Sequence, residues 1–220
     1  MLEHIKGIKW VGGLSLEDAD VLAMMGKRAQ SILEFGVGGS TLIFSQVLVP
    51  QNGKLVSIDT VAPWIEEVKK RMALIENHVP VEYCLVDEIP LLEASGCKFD
   101  LIFIDGLWKR RLDVALKTWS MLSPGGKMMF HDTRKQQDVL MVQDLLCQRI
   151  TDVEMVQYNL PASNGADSCV TIITKRDVPF VMHRHQYIDQ QSVEENRDLW
   201  TFGRMEDYKI DRGLYQYKGS

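Results

Sequence analysis

Long apolar runs and closely spaced cysteines are both missing from the sequence. No stretch reaches the roughly 18 consecutive apolar residues of a transmembrane helix, and the N-terminal segment lacks the apolar core of a secretory signal peptide. The four cysteines, at positions 84, 97, 147 and 169, form no C-x-x-C pair and no cluster with histidine. The sequence therefore offers no structural zinc motif, and reduced thiols predict a cytoplasmic protein that does not enter a membrane.

An excess of basic residues is also missing. The 220 residues include 25 lysines and arginines against 30 aspartates and glutamates, for a formal net charge of -5. Because such a surface repels phosphate backbones, nucleic acid is not expected as the main partner. The length suits one sizeable α/β domain, with little left for a second.

Short apolar runs alternate with longer amphipathic segments, which is typical of βαβ units and a parallel sheet. Ser15 and Asp18 form a capping-box pattern that predicts the start of an N-terminal helix. The rest of the pattern predicts helices at 63–77, 89–94, 111–122 and 136–149, another after the first strand, and seven strands, at 31–35, 55–58, 81–86, 99–104, 127–131, 153–158 and 169–174. Ser-Pro-Gly-Gly at 123–126 is expected to end the helix at 111–122.

The last two predicted strands are joined by a short loop around Pro161 and Gly165, with no helix between them. A loop of this length permits a hairpin but not a parallel crossover, so the mostly parallel sheet is expected to end with an antiparallel strand. We predict one domain over residues 1–175, including the N-terminal helix. Residues 176–220 are polar with scattered aromatics and are predicted to form a C-terminal extension that serves as a lid, a packing segment or an interface.

A glycine-rich turn, ILEFGVGGST, follows the first predicted strand and opens a helix. Gly36, Gly38 and Gly39 allow a sharp turn and a close approach of the backbone to a ligand, and the helix start at Ser40 attracts polar ligand atoms. The dinucleotide pattern G-x-G-x-x-G fails because Thr41 stands where the third glycine belongs. A nicotinamide-dependent oxidoreductase is therefore disfavoured.

Acidic residues stand at the carboxyl ends of the first four strands, the edge at which open α/β sheets bind ligands. Glu34 precedes the glycine turn, and a cationic amino-acid head group would suit its carboxylate better than a pyrophosphate. Asp59 lies about 20 residues beyond the glycines, where an acid accepts hydrogen bonds from ribose hydroxyls. Asp87 could face an adenine edge, and Asp105 ends the fourth strand. Helix-capping and loop roles stay open for Asp59 and Asp87.

At these residues the chain resembles the class I S-adenosylmethionine-dependent methyltransferases over about residues 14–174. The matching segments are ILEFGVGGST, VSIDT, FDLIFIDG and LSPGGKMMFHDT. The resemblance implies a Rossmann-like three-layer sandwich with a seven-stranded, mostly parallel sheet and an antiparallel last strand. It further implies that Glu34, Gly36, Gly38, Ser40 and Asp59 contact S-adenosylmethionine, and that Asp105 lies close to the methyl donor.

Within that class, the IDG…PGG…HD pattern is similar to small-molecule O-methyltransferases, including relatives of catechol and caffeoyl-CoA O-methyltransferases. In the metal-dependent members, an Asp at the Asp105 turn and an Asp-Asn pair after the fifth strand hold a divalent cation. Here the pair is His131-Asp132, a departure that bears directly on whether a metal binds.

Asp105, His131 and Asp132 are the candidate catalytic residues, and three roles stay open for them. His131 could be a general base, since its intrinsic pKa lies near neutrality. Asp105 and Asp132 could instead hold Mg²⁺ through oxygen ligands. In the third alternative, the His-Asp pair orients the loop after the fifth strand. The nearby run from Lys109 to Arg111 is expected to be a solvated helix start or a contact for an anionic substrate.

We therefore expect an S-adenosylmethionine-dependent methyltransferase that acts on a small-molecule acceptor, at oxygen. The alternative from a different class is a protein that binds the cofactor without turnover, as an interaction or regulatory module. A homodimer is compatible with a chain of this size.

Overall fold

The computed structural model describes residues 14–107, 110–133, 136–159, 169–177, 208–211 and 214–217. The helices are α1 (Leu16–Gly26), α2 (Gly39–Val47), α3 (Ala62–Met72), α4 (Ile89–Ala94), α5 (Arg111–Thr118) and α6 (Gln136–Arg149). The strands are β1 (Ser31–Phe35), β2 (Lys54–Asp59), β3 (Val81–Leu85), β4 (Phe99–Ile104), β5 (Leu122–Phe130), β6 (Val153–Asn159), β7 (Val170–Lys175), β8 (Tyr208–Asp211) and β9 (Leu214–Tyr217).

Seven strands form one sheet in the order β3-β2-β1-β4-β5-β7-β6. The pairs from β3 through β5 are parallel, and β7 runs antiparallel to both of its neighbours. The predicted mostly parallel seven-stranded sheet with an antiparallel last strand is confirmed. The helix predicted from Ser15 is also confirmed, because Ser15 caps α1 and forms a capping box with Asp18.

Helices cover both faces of the sheet, which confirms the three-layer sandwich. Leu33 and Ile102 point to the face that packs against α4, α5 and α6. Their neighbours Ile32 and Phe103 point to the other face, against α1 and α2. This alternation follows from the two-residue period of side chains along a strand, and the cover on both faces explains why these strands are apolar throughout.

Two predicted boundaries are wrong. The helix predicted to continue to residue 77 ends at Met72. The helix predicted at 111–122 is confirmed, because α5 is followed directly by a 3-10 turn at Trp119–Met121. The fifth strand, predicted to begin at residue 127, begins at Leu122, so the Ser-Pro-Gly-Gly segment lies inside β5, where the pairing with β4 jumps from Phe99↔Leu122 to Leu101↔Lys127. Extra residues in one strand produce a bulge, and Gly125 takes a left-handed φ of 72° there.

The described part of the predicted extension contains an antiparallel pair of strands, β8 and β9. The prediction that residues 176–220 form a lid, packing segment or interface stays a prediction. Among the described residues, no helix combines the length and the apolar character needed to cross a bilayer.

The strand order reverses at β1, which pairs with β2 on one side and with β4 on the other. Such a topological switch point leaves a crevice outside the carboxyl ends of the two central strands. A functional site is therefore expected at the turns after β1 and β4.

Candidate active site

The turns after β1 and β4 touch each other through their backbones. The N–H groups of Asp105 and Gly106 donate to the carbonyl of Phe35, at 2.9 and 3.1 Å. Gly36 has a left-handed φ of 99°, and a Cβ on it would lie 2.6 Å from the backbone N of Gly106. Only glycine fits at Gly36, because any side chain would collide with the neighbouring turn.

The glycine turn is held in place by hydrogen bonds from surrounding elements. Gly36 N–H donates to the carbonyl of Ile58 (2.9 Å), and Gly38 N–H donates to Thr41 Oγ1 (2.9 Å). The indole N–H of Trp64 donates to the carbonyl of Val37 at 2.7 Å. The turn is thus preformed, with several of its polar groups already used inside the protein.

Glu34 lies behind the glycine turn rather than on its exposed side. Its side chain is fully buried, and its carboxylate accepts hydrogen bonds from the hydroxyls of Ser40, Thr41 (2.7 Å) and Ser57 (2.6 Å). Burial raises the pKa of Glu34 to about 7, although the three hydroxyls act in the opposite direction. The partners at its carboxylate are hydroxyls of the protein, where the sequence suggested a cationic ligand group.

Asp59 lies at the end of β2 and is partly exposed. Its Oδ2 accepts a hydrogen bond from the N–H of Val37 at 3.1 Å, so it braces the glycine turn. Its Oδ1 accepts from the N–H groups of Thr60 (2.7 Å) and Val61 (3.0 Å). Leu85 pairs with Asp59 across β2 and β3 and keeps 38% of its surface exposed. A partly exposed carboxylate therefore stands beside an apolar side chain at this edge.

Asp87 is exposed in the short turn that follows β3. A cavity of about 260 Å³ lies there, lined by Asp87, Ile89 and Pro90 from this segment and by Arg110 and Val114 from the start of α5. Glu93 of α4 and Lys117 of α5 also line this cavity, so Asp87 borders a space between these two helices.

His131 follows β5 and is held between two carboxylates. Its Nδ1 lies 2.9 Å from Asp105 Oδ1, and its Nε2 lies 3.2 Å from Oδ2 of Asp18 in α1. The His131 and Asp18 side chains are each 3% exposed, whereas Asp105 retains 29%. Burial by itself lowers the pKa of His131, but the hydrogen bonds to Asp105 and Asp18 and the nearby charges, including Asp132, raise it to about 10. His131 therefore already holds its proton at neutral pH.

Asp132 occupies an unusual backbone position next to His131. Its φ is 58°, in the left-handed region that aspartate tolerates better than most residues. Its Oδ1 lies 3.7 Å from His131 Nδ1, and its side chain is 22% exposed. Leu107, in the turn after β4, also has a positive φ, of 62°. Strained positions of this kind cluster at functional sites.

Arg111 is buried, contrary to both roles expected for the basic run. Its side chain is 1% exposed, and its guanidinium donates to the backbone carbonyls of Asp105, Gly106 (3.3 Å) and His131 (2.8 Å) and to Asp138 Oδ1 (3.2 Å). It thus fastens the turns after β4 and β5 to α6. Arg110 is exposed, while residues 108 and 109 lie outside the described residues.

The acids at this edge do not fit a divalent cation. Within the described ranges, no group of three or more His, Cys, Asp or Glu side chains is arranged to hold a metal. Asp105 Oδ1 already contacts His131, and the Arg111 guanidinium lies 3.7 Å from the same oxygen. A cation would meet positive charge where the Mg²⁺ hypothesis requires oxygen ligands.

Most predicted site residues come together at one edge of the sheet, at the ends of β1, β2, β4 and β5. Of these, Gly38, Gly39, Ser40 and Glu34 are buried, while Gly36, Asp59, Asp105 and Asp132 are partly exposed. The sequence did not indicate the roles that Asp18, Gly106 and Arg111 have at this site. The Gly in IDG signals a turn but not its contact with Gly36, and nothing local to Asp18 indicates a contact 113 positions away.

Comparison with known proteins agrees with this geometry. Residues 33–133 match a family model described as a methyltransferase domain. No curated protein matches the sequence.

Solved structures share the fold at low sequence identity. An O-methyltransferase from Bacillus cereus in complex with S-adenosylhomocysteine has a TM-score of 0.61 at 17% identity, covering 74% of this chain and 83% of that one. The O-methyltransferase TomG from Streptomyces achromogenes, involved in tomaymycin synthesis and bound to S-adenosylmethionine, has a TM-score of 0.61 at 20% identity, covering 74% and 81%. A methyltransferase from Podospora anserina with bound S-adenosylhomocysteine has a TM-score of 0.58 at 16% identity, covering 75% and 80%.

Proposed function

We propose that this chain, whose residues 33–133 match a methyltransferase-domain model, transfers a methyl group from S-adenosylmethionine to an oxygen of a small-molecule acceptor. The observation that carries the proposal is the position of two partly exposed carboxylates, Asp59 and Asp105, on either side of the glycine turn at the switch point. The names of the structural neighbours bound to this cofactor or its product support the choice of cofactor and of oxygen.

Asp59 and its apolar neighbours suit the nucleoside part of the cofactor. A carboxylate has about four lone-pair positions, and three of those on Asp59 accept backbone N–H groups, which leaves room for a ribose hydroxyl. Leu85 beside it offers an apolar surface to a base, and Asp87 in the next turn adds a carboxylate near that base. Apolar walls with a few convergent polar groups are the usual character of small-molecule sites.

The glycine turn would face the methionine part of the cofactor through Gly36, Gly38, Gly39 and Ser40. We assign Glu34 a supporting role: its carboxylate fixes the hydroxyls of Ser40 and Thr41 at the start of α2, and Thr41 in turn accepts the N–H of Gly38. Glu34 thus acts on the cofactor through the shape of the turn.

Asp105 is the residue best suited to serve the acceptor. In methyl transfer, an acceptor oxygen forms a bond to the methyl carbon while the carbon–sulfur bond breaks and its electron pair returns to sulfur. The hydroxyl proton becomes strongly acidic as the new bond forms, so a carboxylate can accept it and release it to solvent. Asp105 is partly exposed, whereas both ring nitrogens of His131 are occupied by carboxylates. His131 and Asp132 would therefore orient Asp105 and the acceptor, and His131 would not act as the base.

The nature of the partners follows from the same proposal. The acceptor is a small molecule, and the formal net charge of -5 supports the view that nucleic acid is not a partner. A cytoplasmic location and a homodimer stay predictions.

A transfer assay tests the proposal. Purified protein is incubated with methyl-labelled S-adenosylmethionine and a panel of phenols, alcohols, amines and thiols, and label in the organic products is counted. Label on hydroxylated acceptors that falls sharply in Asp105→Asn, but not in Glu154→Gln on the edge strand β6, is the expected result. Label on nitrogen or sulfur acceptors alone contradicts transfer to oxygen. Cofactor binding without any transfer favours the binding module.

A further inference from the structure

Three aspartates from three separate elements surround the ring of His131. Asp18 comes from α1, Asp105 from the turn after β4 and Asp132 from the turn after β5, and their nearest oxygens lie 3.2, 2.9 and 3.7 Å from the ring nitrogens. We infer that the His131 ring, fixed by Asp18, is a built-in cation that fills the place of a divalent metal at the acceptor side of the cleft, so that the reaction needs no metal. The inference rests on the proposed function and deepens it.

The hydrogen-bond geometry itself makes the ring cationic. An ionised carboxylate can only accept hydrogen bonds, while a neutral imidazole donates from one nitrogen and accepts at the other. His131 faces a carboxylate oxygen at both nitrogens. With both carboxylates ionised, both nitrogens donate, and only the imidazolium form does so.

The same arrangement leaves no position for a metal. Mg²⁺ requires oxygen ligands at about 2.0–2.1 Å in a near-octahedral arrangement. Asp105 Oδ1 instead lies near both His131 and Arg111, and the Arg111 guanidinium is 1% exposed and is held by backbone carbonyls. A cation placed among these acids would have to displace one positive side chain and approach another.

The imidazolium gives Asp105 a defined orientation. Nδ1–H of His131 donates to Oδ1, and the Asp105 side chain keeps 29% of its surface exposed. Asp18 is the positioning residue of this arrangement, because its Oδ2 holds the opposite end of the ring while the same side chain caps α1 through Ser15. The N-terminal helix thereby becomes part of the acceptor site.

Manganese binding tests the absence of a metal position. Mn²⁺ is titrated into the protein with S-adenosylhomocysteine present, and free Mn²⁺ is followed by electron paramagnetic resonance. Wild type is expected to bind no Mn²⁺ up to about 1 mM. His131→Asp replaces the cation by another carboxylate. This variant is expected to bind Mn²⁺ at least roughly 10-fold more tightly than wild type. His131→Gln is the matched control, because it removes the charge without adding a carboxylate. It is expected to bind Mn²⁺ less tightly than His131→Asp.

Either of two results overturns the inference: stoichiometric Mn²⁺ binding by wild type, or no gain of binding in a His131→Asp protein that still binds S-adenosylhomocysteine. Failure of wild type to bind S-adenosylhomocysteine is a separate outcome that contradicts the proposed function itself.

A second measurement addresses Asp18 and does not depend on a His131 variant that folds. Long-range proton–nitrogen NMR spectra near neutral pH should show both nitrogens of the His131 ring protonated in wild type. Asp18→Asn is expected to shift the ring signals and lower the turnover number about 10-fold at unchanged affinity for S-adenosylhomocysteine. Asp20→Asn, exposed on the same helix, should change neither, and Asp18→Glu should restore part of the loss. A ring with one protonated nitrogen in wild type, or spectra that Asp18→Asn leaves unaltered, overturns the inference.

Discussion

Glu34 and Ser57 are register partners on β1 and β2, and the Ser57 hydroxyl donates to Glu34 Oε2 at 2.6 Å inside the sheet. A carboxyl group that is fully buried pays for desolvation in its charged form, and the pKa of Glu34 rises to about 7 from 4.5. Together with Ser40 and Thr41, this pair joins the glycine turn to the centre of the sheet. The stability of the fold and the shape of the turn are thus coupled to one acid.

The stability of the protein is expected to depend on pH through Glu34. Because its pKa is higher in the folded than in the unfolded state, the folded protein binds more protons between pH 4.5 and about 7. The contribution of Glu34 to the free energy of unfolding is therefore fully present below pH 4.5 and is lost as pH rises through about 7. The loss is on the order of 3 kcal/mol.

Glu34→Gln removes this titration while keeping a side chain that can bond the same hydroxyls. Urea denaturation at several pH values should show wild type losing stability relative to Glu34→Gln as pH rises through the window. Parallel curves for the two proteins would mean that Glu34 titrates normally.

Gly36→Ala should disrupt both the fold and the crevice. The new Cβ would lie 2.6 Å from Gly106 N, and the left-handed φ of 99° adds strain. A loss of about 3 kcal/mol or more in the free energy of unfolding is expected. Gly96→Ala is the matched control: Gly96 also has a positive φ, of 69°, but open space around its Cβ position, so it should cost only about 1–2 kcal/mol. Equal losses in the free energy of unfolding for both variants would show that the contact between the turns after β1 and β4 does not stabilise the fold.

Arg111→Met should destabilise the protein strongly. It leaves the carbonyls of Asp105, Gly106 and His131 without this donor and removes the ion pair with Asp138, at a cost of about 3–5 kcal/mol. The same change at Arg110, which is exposed, should stay within about 0.5 kcal/mol. Thermal and chemical denaturation compare the two variants. A small loss in the free energy of unfolding for Arg111→Met would contradict the claim that Arg111 holds the turns after β4 and β5 in place.

The local elements could be predicted from sequence because each carries its own signal. The apolar run of β4, the capping box of α1 and the bounds of α4 and α6 depend on residues close in sequence. The late start predicted for the fifth strand has the same origin: locally Ser-Pro-Gly-Gly indicates a break before the strand, while the pairing of β5 with β4 on both sides of this segment is non-local.

The site could be predicted from sequence only where the sheet topology by itself brings residues to the same edge. Parallel strands bring their carboxyl ends to one edge, so Asp59 and Asp105 could be placed there from the strand pattern alone. The contact between Asp18 and His131 spans 113 positions and depends on how α1 packs. The burial of Arg111 likewise requires backbone carbonyls from two separate turns to lie close together. The periodicity of apolar residues along the sequence does not indicate such a contact.

The central claim is that Asp59 flanks a crevice that binds S-adenosylmethionine, and isothermal titration with S-adenosylhomocysteine tests it most directly. Wild type and Glu154→Gln on β6 should bind with the same affinity. Asp59→Asn, which weakens the acceptor for a ribose hydroxyl, should bind about 10-fold more weakly. No binding by wild type, or equal affinities for all three proteins, would contradict the claim.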